Sequence, residues 1–350
     1  MPRLTAAAIV DSTIGAGLLD LLEKAAVIGE VPGVGGDTPL DDTNPASVAK
    51  AAALAAELPF GRLLKLAVLA TGCCGSYWGL GRGVPTLQHR HARAPIAEAI
   101  AAREDSSRWF DSADVEQWWW TDGRTDLIPT LGTGLEQLAF WWATHPLRAL
   151  MTTSPFPTEM LETGIEAPMD LVWDVCFGPR ARWAFDVDEG ARVLDIHGPD
   201  DWAALVRRYP LDGTEAYHNG HEYSPVNDRN DRDGLAALLA VPGQRAIRRG
   251  VRRFLTPDWV AVSNDWDGVH VSWAGYLLAD GTMTDLGDGD VTMLRNWGSE
   301  RTAWLAPVLR SPRRLPIPPK QHRDVRPPDD GRWKVERELL VRAVTPRDPG

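Results

Sequence analysis

The spacing of apolar residues changes character near Trp109, and no single regular element type accommodates both sides of that change. Before it, Ile9, Ile14, Leu18, Leu21, Leu22 and Ala25 recur mostly three and four residues apart, the repeat of a helix that buries one stripe. Gly15 and Gly17 are the expected break points in that segment. Residues 29–43, rich in Gly, Pro and Asp, read as a loop. Asn44-Pro45 then supplies a cap and a first-turn proline for a helix running to about Ala70, with a break expected near Pro59-Phe60-Gly61. A turn-rich stretch over 72–85 and a short helix over 95–103 complete a helical region, residues 1–110.

After Trp109 the elements alternate. Strands are expected at 116–121, 147–152, 182–188, 192–197, 268–272, 291–294 and 302–305. Helices are expected at 134–144, from Asp200-Asp201 onward, at 234–239 and 243–255, and after Pro257-Asp258-Trp259. Residues 212–230 are polar and aperiodic. Beyond Ala306 the chain carries 9 of its 27 prolines and 11 basic against 6 acidic residues, so it reads as an extended wrap, with residues 333–344 able to dock as a terminal strand. The fold class is therefore α+β: a helical region (1–110) packed on a β-rich domain (111–306), followed by a Pro-rich basic extension (307–350).

Charge and cysteine usage narrow the function classes. With 37 Lys and Arg against 48 Asp and Glu the formal net charge is −11, which argues against general adhesion to nucleic acid or to an anionic membrane. Three cysteines, two of them adjacent, make no disulfide framework, and neither a secretory leader nor an 18-residue apolar run occurs, so a cytoplasmic protein is expected. Only 5 of the 37 cations are Lys, a bias that resembles high-GC bacterial or phage coding sequences.

Several motifs fail on inspection. The glycines over 72–83 lack both a Gly-Lys-Ser/Thr ending and G-x-G-x-x-G spacing. The acidic run 226–234 places Arg229 first and Ala240 twelfth in a calcium loop, where carboxylates are required. His218 and His221 want a third ligand that Glu222 or Asp228 would have to supply, and His89 with His91 reads as a polar turn, so no metal is expected. No G-x-S-x-G elbow occurs.

Two patterns stand out. Trp118-Trp119-Trp120 cannot all be buried on one face of a strand, so at least one ring must meet another layer, a partner or a pocket. Over residues 244–255, Arg245, Arg248, Arg249, Arg252 and Arg253 fall on one helical face, a stripe suited either to an acidic partner or to the chain's own carboxylates.

Three segments occur in a suggestive order: 118–124 (WWWTDGR), 148–156 (RALMTTSPF) and 296–305 (NWGSERTAWL). Together, over about residues 115–306, they resemble the ADP-ribosyltransferase-like fold, whose first strand ends in a short polar or aromatic motif, whose second ends in Ser/Thr, and whose late acidic residue acts on ribose. The resemblance implies NAD as substrate and a protein or nucleic-acid target, as for a toxin or modifying enzyme. It assigns Thr121 and Arg124 to the first-strand site, Thr153 and Ser154 to the second, and the catalytic carboxylate to Glu300. Two features depart from it: the first strand holds no His or Arg, and Glu300 is not part of an acid-x-acid pair. The alternative is a non-catalytic interaction or assembly protein whose Trp-rich faces and Pro-rich tail make the contacts; on a purely structural reading Glu300 is a surface charge. A cleft shared by Thr121, Thr153, Ser154 and Glu300 would favour the enzyme, and a filled one the alternative.

Overall fold

The structure, a computed structural model, describes residues 3–28, 44–73, 87–121, 146, 149–158, 160, 181–213, 252–295 and 297–316. Within them the chain is α+β, with helices packed on mixed and antiparallel sheets.

The helical region contains α1 (Ala6–Asp11), α2 (Thr13–Ile28), α3 (Pro45–Glu57), α4 (Phe60–Cys73), α5 (Leu87–Ala92) and α6 (Ala94–Ala101), then a 3-10 helix over Glu104–Phe110. Asn44 caps α3 by accepting the Ala46 N–H at 2.9 Å, and Leu58 and Pro59 separate α3 from α4, as the sequence predicts. The first break falls at Ser12 rather than at Gly15 or Gly17. Ser12 Oγ donates to the Ile9 carbonyl and accepts the Gly15 N–H, both at 3.0 Å, so one hydroxyl serves both helix ends. Gly15 is there for close approach: a Cβ on it would lie 2.2 Å from Ile9 O. An ion cluster is buried inside this apolar bundle, with Arg93 bound to Asp20 (2.8 Å) and Glu23 (2.6 Å), and the Ser47 hydroxyl donating to Glu23.

Three sheets follow. The first orders β1 (Glu116–Thr121), β3 (Ala181–Val187) and β11 (Leu309–Leu315), all antiparallel. The second orders β2 (Leu150–Thr152), β10 (Arg301–Trp304), β7 (Gly268–Val271) and β4 (Val193–Ile196), with β4 parallel to β7. The third orders β5 (Pro210–Asp212), β6 (Arg253–Pro257), β9 (Asp290–Met293) and β8 (Met283–Gly287). Between strands lie α7 (Pro199–Arg208), α8 (Trp259–Asp265) and α9 (Trp273–Ala279).

Helices and sheets share one apolar core, in which Ile9, Leu18, Leu66 and Trp109 join Val269, Val271, Tyr276 and Ala303. Polar ties cross the same junction. The Tyr276 hydroxyl donates to the Ala67 carbonyl (3.0 Å), and Thr13 Oγ1 donates to the Gly281 carbonyl (2.9 Å). Alternation along β7 sends Val269 and Val271 to one side of the second sheet, leaving Gly268 and His270 on the other.

Several expectations need correction. Arg253, Phe254 and Leu255 belong to strand β6, not to a helix, and Arg252 lies outside any helix. The five arginines therefore share no continuous helical face: Arg253 pairs with Asp290 across two strands, while Arg245, Arg248 and Arg249 lie outside the described residues. Strands at 182–188 and 192–197 are adjacent in sequence but join different sheets, and so do those at 291–294 and 302–305. The chain after Ala306 contributes β11, which pairs with β3 and so continues the first sheet across the expected boundary at 306. Trp118 and Trp120 are buried together with Phe156, while Trp119 is half-buried, which is the split the pleat demands. The helix expected at 134–144, those at 234–239 and 243–251, the strand at 333–344 and the rejected motifs at His218, His221 and 226–234 lie outside the described residues.

Candidate functional site

The polar side of the second sheet carries the site. Pairing places Thr152, Thr302, His270 and Asp195 directly opposite one another across β2, β10, β7 and β4. Directly opposed residues point to the same face, so four separate sequence regions contribute to one row of polar side chains. Glu300 immediately precedes β10, two residues before Thr302, on the side of that row.

Glu300 is 2% exposed, not a surface charge. Its Oε1 accepts the Ser154 hydroxyl at 2.8 Å, the Ser154 N–H at 3.1 Å and His270 Nε2 at 3.0 Å. Its Oε2 takes only the shared Ser154 N–H, at 3.1 Å, among the described residues. On the other side of the ring, His270 Nδ1 lies 2.7 Å from Asp195 Oδ1, and Asp195 Oδ2 accepts the Ser112 hydroxyl at 2.7 Å. An unbroken chain of hydrogen bonds thus runs Ser154, Glu300, His270, Asp195, Ser112, from a fully buried ring outward to the partly exposed Asp195 and the exposed Ser112.

Charge follows from this geometry. A ring that donates to an ionised carboxylate from each nitrogen is an imidazolium. Burial opposes charging of His270, but hydrogen bonds and charge from Asp195 and Glu300 outweigh it and raise its pKa to about 9. Burial would raise Asp195, yet the His270 and Ser112 hydrogen bonds hold it below the ordinary carboxylate value. Nearby, burial pushes Asp111 upward against the pull of Arg108 and His270.

The residues singled out from sequence fare differently. Ser154 and Glu300, 146 positions apart, are brought into contact. Thr153 is buried beside them; its backbone forms a bridge with Trp118 (2.7 and 2.9 Å), and its hydroxyl has no hydrogen-bond partner among the described residues. Ser154 Oγ also accepts the Asp114 N–H at 3.1 Å, so the start of β1, not its end, adjoins Ser154. Thr121 closes β1 opposite Ala181, three residues past the Trp118 bridge and roughly 10 Å further along the strand, toward the end away from Ser154. Arg124 lies outside the described residues. His270 and Asp195 were missed by sequence reasoning. Their only signal was a His and an Asp at the middle of two short apolar strands, where an unpaired ionisable group is too costly to bury.

A cation does reach the first strand, from its neighbour: the Arg182 guanidinium on β3 sits 4.4 Å over the Trp118 ring and 5.2 Å from Trp120. Phe156, two residues beyond Ser154, stacks on Trp120 at 5.8 Å. No group of three or more His, Cys, Asp or Glu side chains is disposed to hold a metal ion among the described residues, and none of their helices is long and apolar enough to cross a membrane. In comparisons with protein-family models, curated proteins and solved structures, nothing matches this chain.

Proposed function

We propose that this chain is a NAD-dependent ADP-ribosyltransferase-like protein, with Glu300 as the carboxylate that faces the ribose and Ser154 as the residue that holds it. The single observation carrying this reading is the 2.8 Å contact between Ser154 Oγ and Glu300 Oε1, which unites the end of the second strand with the late acidic residue. In such a transfer the bond from the ribosyl carbon to nicotinamide breaks, nicotinamide leaves with the electron pair, and an acceptor nucleophile attacks that carbon and sheds its proton. Positive charge develops on the ribose, and a pre-oriented carboxylate stabilises it without reorganising.

The donor set suits that role in one respect: Glu300 Oε2 retains acceptor capacity that a ribose hydroxyl would use. Because Glu300 is 2% exposed, ribose entry requires a neighbouring group to move aside. The target is a protein or nucleic acid in the cytoplasm of a bacterial or phage-infected cell, as for a toxin or modifying enzyme. Incubating the chain with labelled NAD and cell extract tests the reading. Transfer by the wild type, lost in Glu300→Gln and reduced in Ser154→Ala, is expected; no NAD consumption by the wild type removes it.

A second reading, a non-catalytic interaction or assembly protein, rests on the burial of Glu300 and the full occupation of Oε1 by the protein's own donors. On that reading the wild type neither binds nor consumes NAD.

A further inference from the structure

We propose that His270 and Asp195 act together as a positioning pair for Glu300, holding its carboxylate turned to Ser154 so that Oε2 keeps acceptor capacity for a hydroxyl of the ligand. The inference rests on the reading of Glu300 as the ribose-facing group, and adds two residues to which that reading gives no role.

His270 is fixed between two strands by register, opposite Asp195 on β4 and Thr302 on β10, so its ring has little freedom to tilt. Nε2 reaches Oε1 of Glu300, the same oxygen that takes the Ser154 hydroxyl, and the other oxygen is left with a single shared N–H. Two donors concentrated on one oxygen fix the rotation of the carboxylate about its last bond and direct Oε2 away from the ring. Asp195 does the same for His270 from the opposite nitrogen, and Ser112 holds Asp195 in turn. One imidazolium between two carboxylates gives a net charge of −1, so the cluster presents an anion to a developing ribosyl cation. Among the described residues, Asp111, just past the helical region, feels His270, and His197, just after β4, acts on Asp195, while Arg108 acts on Asp111.

The Ser154 amide proton reports on this arrangement without requiring catalysis, because it donates to Glu300. In wild type its NMR shift is expected to follow the His270 ring titration near pH 9. In Asp195→Asn, which keeps the ring, the His270 midpoint falls by about one pH unit or more and the Ser154 amide follows it down. In His270→Gln the amide shows no titration in that range. The activity arm then reads kcat against KM for NAD: both variants should lower kcat at least tenfold, and the alkaline limb of the Asp195→Asn profile should move to lower pH. A Ser154 amide that ignores the His270 titration, or ring midpoints equal in wild type and Asp195→Asn, overturns the pair. An inactive wild type whose amide behaves as expected overturns the ribosyl-transfer reading alone.

Discussion

Asp195 and His270 are register partners in the parallel pair β4–β7, and the carboxylate oxygen Oδ1 lies 2.7 Å from the ring nitrogen Nδ1. The contact is thus built by strand pairing itself, and its charge state carries a pH signature. Because the folded-state pKa of His270, about 9, stands above the ordinary 6.5, the stabilisation is full below about pH 6.5 and disappears as pH rises through about 9. Its size is about 3 kcal/mol at most, from 1.36 kcal/mol per pH unit. Urea unfolding at pH 6 and pH 9.5 should show this loss, and in Asp195→Asn a smaller one; an unchanged midpoint across that range contradicts a protonated His270.

Replacing Glu300 has a different cost from the one expected of a surface charge. Glu300→Gln keeps an oxygen for His270 but removes the charge that balances the imidazolium, and turns amide hydrogens toward the N–H or hydroxyl of Ser154. A loss of about 2–4 kcal/mol follows, against about 0.5 kcal/mol for an exposed carboxylate. Denaturant unfolding of the variant distinguishes the two, and its size must be known before any fall in activity is ascribed to chemistry.

Gly275 tests how tightly α9 is seated on the site's sheet. A Cβ there would lie 2.1 Å from the Ile196 carbonyl, the residue after Asp195 on β4, and backbone cannot give way as a side-chain tip can. Gly275→Ala should cost about 3 kcal/mol or more and weaken the Asp195–His270 contact with it. Gly190→Ala, with open space around the added carbon, should stay within about 0.5 kcal/mol. Equal stability of the two variants would contradict the packing.

What was legible in the sequence was local. The stripe from Ile9 to Ala25, the Asn44 cap and the Asp258 cap, which accepts the Ala261 N–H at 3.0 Å, all depend on neighbours within a few residues. The sheet partners were not, because pairing β2 with β10 joins residues about 150 apart, and nothing in a three-residue strand marks its partner. Arg253 shows the same limit from the other side: it is spaced for a helical stripe yet sits in strand β6, which pairs with β5 and β9 and buries Phe254 and Leu255. Ser154 and Glu300 were named through a resemblance, and His270 and Asp195 were not, since the pattern that unites them exists only across strands.

Helices and sheets meet at a join that a tyrosine hydroxyl crosses. Tyr276 spans it, its ring fully buried and its hydroxyl donating to Ala67 O within α4, where the same carbonyl also serves the helical ladder. Tyr276→Phe removes one of two bonds to that carbonyl and leaves the ring packing intact, so about 1 kcal/mol is expected, not the larger cost of an orphaned group. Because Ile9, Leu18 and Leu66 share a core with Val269, Val271 and Tyr276, the loss should appear in both regions at once. Thermal unfolding followed by helix signal and by tryptophan fluorescence should give coincident transitions in the wild type and in the variant, with the variant's shifted downward. Separate transitions for the two signals would show that residues 1–110 and the sheets fold as independent units and that the shared core does not couple them.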